Sequence, residues 1–374
     1  MSYQIKTIHT DMEIQRFYTL ALSCTLEKAL ENYQNLLFEI ILKKENIVLE
    51  RFFGDLKYKK DIKLIRQKML QRYSFPAYPV SYIQGASVNG QPFSGVVIHT
   101  VETCKNNFLH IHENDIPYGS VYNVNSIKRL AIEGIEDHDC LTFSQAVRES
   151  YELSSKITKM SGFRSTDLLR TWHYIYPIKE EYACFNQERR DFFNRSEIEY
   201  YSNPLCIPAS TCIEGRHRFS GHSAMNLYYL KKSENVQLRR IYNKHQKEAD
   251  SEKYLFNPTF ARAIHIVQPG LSELQISGTA SIDETGNTMH IGDVFKQITK
   301  TLQMVSELLK QTDMGFEDIC FSTCIFKNKS DYIYLNKAIK ALRYPNFNHI
   351  NIEGSLCRDD LLFELDGVAM KTLK

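Results

Sequence analysis

The sequence predicts an α+β protein in which one unit of strands and helices occurs twice. Strand-like runs alternate with amphipathic helices along much of the chain, which is the first observation. The second is that residues 143–175 can be laid over residues 294–326 with short gaps. Both stretches hold a Gln, an amphipathic helix, Gly-Phe, an Asp and then a strand that contains Thr. We interpret this match as a duplication of one α+β unit.

A β-hairpin, a helix and a strand are predicted in the first half of the chain. Residues 78–101 are expected to form the hairpin, because Asn89-Gly90 tolerates the positive φ angles of a short turn. A helix is predicted over 142–160. The next run, 168–178, is rich in aromatic and β-branched residues, which favours a strand.

The second half repeats this order of elements. Residues 261–282 contain two strand-like runs separated by Pro269-Gly270. Residues 293–312 form the clearest helix, because apolar residues recur there at steps of three or four. Asp293 is expected to cap its start, and Gly315 lies just past its end. A strand, a helix and a closing strand follow.

Three segments describe the predicted domain organisation. Residues 1–230 are expected to form an N-terminal α+β domain that contains a diverged copy of the repeated unit. Residues 231–257 are polar and charged, which favours a connection. Residues 258–374 are expected to form the C-terminal domain.

Composition narrows the class of protein. Lys and Arg total 46 and Asp and Glu total 44, so a net charge of +2 gives no bulk attraction to nucleic acid or to an anionic membrane. No run approaches the ~20 apolar residues of a membrane span. Nine cysteines occur without a C-x-x-C pair, and no nucleotide-binding or zinc motif is present. We therefore expect a cytoplasmic protein that needs no cofactor and no metal.

One glutamate stands out near the C-terminus, in the run GSLCRDDLLFELDGVA, residues 354–369. Phe363 and Leu365 share one parity of the predicted strand and Glu364 has the other. Arg358 shares the parity of Glu364, so both side chains could face one cavity. A carboxyl that is partly removed from water stays neutral near pH 7, as a general acid requires. A glutamate at a sheet edge or in a salt bridge is the plain alternative.

The segment from about 260 to 370 resembles the RidA (YjgF-like) superfamily. The similarity lies in SGTAS, in Gly-Asp before a long helix that carries a Gln, and in the closing strand with its glutamate. The resemblance implies units that each hold a mixed, mostly antiparallel sheet with helices packed on one face. It also implies a homotrimer, unless the N-terminal half replaces a neighbouring chain and leaves a monomer.

A narrower resemblance covers most of the chain. Six motifs occur in the order found in the chorismatases, which cleave chorismate and carry a RidA-like C-terminal domain. The sequence departs from that pattern at His173, at Glu188 and in the run PASTC, 208–212. The six motifs are LLRTWHYIYPI, YACFNQERRDFF, IPASTCIEG, NPTFARA, SGTASI and CRDDLLFELDG.

The chorismatase resemblance implies a role for each candidate residue. Glu364 would protonate the enolpyruvyl ether of chorismate, and Tyr182 would hydrogen-bond a carboxylate or stack on the ring. Cys357 and Gly278 match the branch that forms 3-hydroxybenzoate, and the departures keep 4-hydroxybenzoate open. Arginine suits the two substrate carboxylates because its fork of donors matches them. The candidates are Arg189, Arg358, Arg170 and Arg262, with the first two favoured.

Two other functions stay open at this point. One is a RidA-type enamine or imine deaminase, although residues 344–354 lack the arginine that those enzymes carry before the last strand. The other is a protein that kept the fold and a small-ligand pocket without catalysis. Fold alone does not decide between them.

Overall fold

The computed structural model describes residues 3–103, 107–137, 142–198, 207–246 and 259–373. They form three mixed sheets, each with two α-helices, and this confirms the predicted α+β class. The number of units is three, whereas the sequence predicted two. Within the described ranges, no helix is both long enough and apolar enough to cross a bilayer.

Unit 1 comprises residues 4–102, and its sheet has the strand order β1-β2-β6-β3-β4. Helices α1 and α2 pack on this sheet over a shared core. Its elements are β1 (Gln4–His9), β2 (Ile14–Ala21), α1 (Leu26–Leu42), β3 (Asn46–Gly54), α2 (Lys59–Arg72), β4 (Val80–Gln84), β5 (Ala86–Ser87) and β6 (Phe93–Glu102).

Unit 2 comprises residues 108–230, and its sheet has the order β11-β10-β12-β9-β8-β7. Thr142 caps the first helix of this unit by accepting a hydrogen bond from the backbone N–H of Gln145. Its elements are β7 (Phe108–Glu113), β8 (Ile116–Val124), β9 (Ile127–Glu136), α3 (Phe143–Met160), β10 (Leu168–Ile175), α4 (Ile178–Arg195), β11 (Ala209–Glu214) and β12 (Ser223–Leu230).

Unit 3 comprises residues 237–372, and its sheet has the order β13-β14-β15-β18-β16-β17-β5. Asp293 caps its first helix by accepting from the N–H of Lys296 at 3.0 Å, as predicted. Its elements are β13 (Gln237–Ile241), β14 (Ala263–Gln268), β15 (Leu271–Ala280), α5 (Val294–Lys310), β16 (Ile319–Phe326), α6 (Ile333–Leu342), β17 (Ile350–Glu353) and β18 (Phe363–Thr372).

All three units share one topology when the additional first strands β7 and β13 and the short β5 are left out of the strand count. A hairpin comes first, the last strand lies beside its second strand, and the fourth strand runs parallel to the third. The fourth strand of each unit also contacts the second strand of the next, in the pairs β4 with β9, β11 with β15 and β17 with β2. Three such contacts close the units into a ring.

The segment 1–230 therefore holds two units, where the sequence predicted one. The first was missed because its equivalent of the repeated stretch, α1 and β3 over residues 26–54, lacks the Gly-Phe, the Asp and the Thr of the other two. The predicted connection 231–257 is also different, because β13 within it pairs with β14 as a strand of the third sheet. Residues 247–258 of that segment lie outside the described ranges.

The prediction that residues 78–101 form a β-hairpin is wrong, because the two long strands in this range do not pair with each other. Gly90 does take a positive φ of 75° in the expected turn. However, β4 and β6 both pair with β3, which lies between them. The short strand β5 leaves this sheet and pairs with β17 of unit 3. The local residues predicted the turn, but the arrangement of the whole sheet determines which strands pair.

Candidate active site

A cavity of about 520 Å³ lies at the contact between units 2 and 3. Unit 2 contributes α4 and β11 to its walls, and unit 3 contributes β15, β18 and the segment before β18. Seven of the eight predicted site residues line it. They are Glu364, Cys357, Arg189, Arg358, Arg262, Tyr182 and Gly278.

Glu364 is the acidic residue of this lining. Its strand, β18, pairs with β15 on one side and β16 on the other, so it is not at a sheet edge. The side chain is 6% exposed and forms no salt bridge with any described residue. Burial and, to a smaller extent, the nearby Asp366 raise the pKa of the carboxyl to about 8, although Arg170 and Arg262 oppose the rise. The carboxyl is therefore mostly neutral at pH 7 and able to donate a proton.

Gly278 makes room for this carboxyl. A Cβ added at Gly278 would overlap Oε1 of Glu364 and would lie 3.0 Å from its Cδ. The structure shows that the space next to it is filled by the acid itself.

Arg189 lies on α4 and is 2% exposed. One terminal nitrogen donates to Asn186 Oδ1 at 2.7 Å and the other to Ser210 Oγ at 3.4 Å. The guanidinium stacks over Phe185 at 5.0 Å. It makes no ion pair with a carboxylate among the described residues, although buried charges in proteins are ordinarily paired. An anionic ligand in the cavity would supply that partner.

Two further arginines of the cavity, both predicted from the sequence, differ in exposure. Arg262 is 5% exposed and lies over the ring of Phe260 at 5.1 Å. Arg358 is exposed, and its Nη1 donates to the carbonyl oxygen of Gly286 at 2.5 Å. Arg262 is thus part of the wall, whereas Arg358 lies at the surface.

Two thiols lie near Glu364. Burial raises the pKa of Cys357 to about 12, and the nearby Glu364 adds to the rise. Burial also raises the pKa of Cys212 well above its ordinary range. Tyr182 lines the cavity with Cys357, and burial raises the pKa of its hydroxyl as well. All three groups are protonated at neutral pH, so neither cysteine is present as a thiolate nucleophile.

Arg170 is the predicted residue that does not line the cavity. Its Nη2 donates to Asp366 Oδ2 at 3.0 Å and to Thr211 Oγ1 at 2.6 Å, and the guanidinium stacks on Trp172 at 4.3 Å. These contacts occupy the fork that was predicted to hold a substrate carboxylate. Arg170 instead holds Asp366, which is two residues from Glu364 on the same face of β18.

Some lining residues were missed by the sequence reasoning. Asn186 falls three residues before Arg189 on α4, so helical spacing could have indicated it. Cys212 was seen only as part of the departure PASTC. Thr259 and Phe260 carried no signal of their own, because nothing in the local sequence places them at a contact between units.

The other two departures lie away from the cavity. His173 is buried and packs against Phe185, with the ring centroids 4.7 Å apart and the planes tilted by 60°. Burial lowers the pKa of His173 well below its ordinary range. Glu188 pairs with Arg148 at 2.7 Å and thereby joins α4 to α3. Of the three departures, the PASTC run alone contributes lining residues.

The cavity has no evident metal site of its own. Among the residues that the structure describes, no three His, Cys, Asp or Glu side chains form a group that would hold a metal ion. The lining offers one carboxyl, two thiols and several cations. Such a set suits an anionic organic ligand and proton transfer.

The chain is similar to known proteins in sequence and in fold. No family model matches the chain. The chain is 24% identical over 252 residues to a 3-hydroxybenzoate synthase from Streptomyces hygroscopicus, covering 61% of this chain and 70% of the relative. A chorismatase crystal structure, 16% identical, matches with a TM-score of 0.63 and covers 87% of this chain and 93% of that one. The two matches confirm the predicted resemblance to the chorismatase family.

A smaller solved structure also matches. A Rid-family protein of unknown function from Yersinia pestis is 20% identical, with a TM-score of 0.29. The match covers 36% of this chain and 98% of that one.

Proposed function

Given its resemblance to the chorismatases, we propose that this chain cleaves chorismate to pyruvate and a hydroxybenzoate. One observation carries the proposal: a neutral, buried carboxyl, that of Glu364, lies in a cavity lined by arginines. The matched relative is named a 3-hydroxybenzoate synthase and the matched structure a chorismatase, which supports the same substrate.

The cations of the cavity suit the two carboxylates of chorismate. Arg189 and Arg262 are buried, so a carboxylate between them would form charge-assisted hydrogen bonds away from water. Arg358 is at the exposed side, where it would meet the second carboxylate as the substrate enters. Which arginine holds which carboxylate is decided by the orientation that brings the enol ether to Glu364.

Glu364 supplies the proton for the first step. Its carboxyl proton passes to the terminal methylene carbon of the enol ether, and the carbon next to the ether oxygen becomes electron-poor. Water adds to that carbon and returns a proton to the Glu364 carboxylate. Collapse of the adduct breaks its bond to the ring oxygen and releases pyruvate.

The ring decides the second product. Release of pyruvate alone leaves a non-aromatic diol acid and consumes one water. Loss of the 4-hydroxyl as water then gives 3-hydroxybenzoate. Because this step returns the water that the first step consumed, the atoms of chorismate equal those of pyruvate plus hydroxybenzoate. Expulsion of the C3 oxygen instead gives 4-hydroxybenzoate. We favour 3-hydroxybenzoate, because Gly278 and Cys357 match that branch and Cys357 stays a neutral thiol beside the acid.

Incubation of the purified protein with chorismate tests the proposal. Pyruvate is followed with lactate dehydrogenase and NADH, and the ring product is identified by chromatography against the three standards. We expect pyruvate and an aromatic acid in equal amounts. Absence of pyruvate would overturn the proposal, and ammonia release from an imine substrate would then favour the deaminase alternative.

A further inference from the structure

A second cavity, of about 360 Å³, lies at the contact between units 1 and 2. Its walls come from α2 and β4 of unit 1 and from β8 and β9 of unit 2. The candidate active site is built from α4 and β11 of unit 2 and from β15 of unit 3. Because each unit has the same topology, the two cavities occupy equivalent positions in the ring.

The strand pairings fix the correspondence residue by residue. The pairing of β9 with β12 and that of β15 with β18 both shift register at one place. The pair Glu136 with Ala224 then corresponds to Ala280 with Glu364. An alanine thus stands where the candidate active site has its acid. The second cavity lacks the proton donor at that position.

One face of α2 supplies positive charge to this cavity. Lys59, Lys63 and Arg66 recur at steps of four and three, and all three line it. Lys63 is exposed and forms no ion pair with a described residue. Arg66 lies 3.4 Å from Glu50. Lys59 Nζ donates to the carbonyl oxygen of His217 at 2.7 Å.

Two of the three acidic residues of the lining are held by other groups, and the third, Asp115, is exposed. Glu133 is paired with the buried Arg51. Glu136 lies 4.0 Å from Lys59 Nζ and 3.6 Å from His217 Nδ1. His217 is 4% exposed, and its Nε2 has no hydrogen-bond partner among the described residues. A buried nitrogen of this kind is ordinarily hydrogen-bonded, so a ligand group would satisfy it.

The rest of the lining is apolar and aromatic. The rings of Tyr78, Tyr82 and Tyr118 are nearly buried there, together with Ile62. A flat ring would pack against such side chains, while its acid group reached the cations of α2. The volume accommodates a single ring with short substituents.

We propose that this second cavity binds a monocyclic carboxylate without transforming it. The carboxylate contacts Lys63 and Lys59, a polar substituent reaches His217 Nε2, and the ring lies against the tyrosines. The proposal does not rest on the proposed function, because it needs only the charge and shape of this cavity and the alanine at the position equivalent to Glu364.

Isothermal titration of the full chain with 3-hydroxybenzoate in a chloride buffer tests the proposal. Four proteins are compared: the wild type, Lys63→Glu, Lys68→Glu and Arg189→Ala. Lys68 is exposed on the same helix and does not line the cavity, so its variant controls for a charge change alone. Melting temperatures confirm that each variant is folded.

We expect Lys63→Glu to weaken one class of sites at least about tenfold, the loss of roughly one charge-assisted contact. Lys68→Glu should bind as the wild type does, and Arg189→Ala should retain the Lys63-dependent site. Absence of binding, or a Lys63→Glu isotherm that superimposes on the wild type, would overturn the proposal. If chorismate is not cleaved, the site retained in Arg189→Ala still gives a separate answer.

Discussion

The Glu364 carboxyl is the group on which the proposed chemistry depends. Glu364→Gln keeps the shape of the side chain and removes its acidic proton. General acid catalysis is typically worth 10²–10⁴-fold, so we expect pyruvate release to fall by at least about 100-fold. Glu234→Gln, at an exposed turn residue outside the cavity, is the matched control and should act as the wild type. Near-native turnover in a folded Glu364→Gln protein would remove this residue from the mechanism.

The raised pKa of Glu364 also sets a pH dependence. The proton donor is present below a pKa of about 8 and is lost as the pH rises through that value. We therefore expect kcat/KM to be level near neutral pH and to fall about tenfold per unit well above pH 8. A rate that rises across this range would show that the ionised form is needed.

The same group affects stability with a definite sign. Its folded pKa lies above its unfolded value near 4.5, so the native state binds more protons between those values. The contribution of Glu364 to stability is thus fully present below about pH 4.5 and lost as the pH rises through about 8. In thermal melts, the melting temperature of Glu364→Gln should rise relative to that of the wild type as the pH increases over this range. A difference in melting temperature that stays constant would contradict the raised pKa.

Arg189 and Arg358 differ in how far their loss should weaken binding. Arg189 is buried, so removing it deletes a charge-assisted contact worth about 1.5–3 kcal/mol, or about 10- to 100-fold in the dissociation constant. Arg189→Lys keeps the charge but loses the fork, so it should lie between alanine and the wild type. Arg358 is exposed, and its alanine variant should have a smaller effect.

These binding changes can be measured by titrating an inactive Glu364→Gln background with chorismate. Arg195→Ala, exposed on α4 and outside the lining, is the control. Equal effects of Arg358→Ala and Arg189→Ala would show that burial does not rank the two arginines.

At the scale of elements, the contact between β15 and β18 positions the acid. Gly278 on β15 leaves the space that the Glu364 carboxyl fills, and a Cβ there would overlap the end of a flexible side chain. We expect Gly278→Ala to move the carboxyl to another rotamer while the fold survives. Combined with Cys357→Ala, it should shift the products toward the non-aromatic diol acid without abolishing pyruvate formation.

Product chromatography checks this outcome, with the Cys357→Ala single variant as the comparison. An unaltered product ratio in an active double variant would exclude both residues from product choice. A melting temperature far below that of the wild type would instead show that the strands, rather than the carboxyl, had moved.

At the scale of the whole molecule, three units in one chain complete a ring. Each fourth strand already contacts the second strand of the next unit, so all three contacts of a trimer of single units are made within the chain. Buried ion pairs, Arg51 with Glu133 and Arg129 with Glu273, cross two of these contacts. The resemblance predicted a homotrimer. Because one chain already makes these contacts, we predict a monomer instead.

Light scattering after size exclusion tests the oligomeric state. We expect a mass near 43.6 kDa that does not change on dilution. A mass of about three times that value would show that rings of units associate further. In that case the exposed apolar residues, such as Ile291 at 70% exposure, would be the first surface to examine.

The sequence by itself determined the features that depend on neighbouring residues. The helix after Asp293 was predicted with its cap, because apolar periodicity and capping are local properties. Glu364 and Arg189 were chosen as candidates because they lie in short runs that resemble the family's motifs. The α+β class followed from the same alternation of patterns.

The tertiary structure alone decided what depends on packing between distant segments. It showed three units instead of two, because residues 26–54 lack the Gly-Phe and Asp of the repeat yet still form the equivalent helix and strand, α1 and β3. It separated Arg170 from the cavity, since Asp366, 196 residues away in sequence, holds its guanidinium. It also gave Gly278 its contact with Glu364 across a strand pair. Such pairings depend on how whole sheets are buried against one another. A short run of sequence does not contain that information.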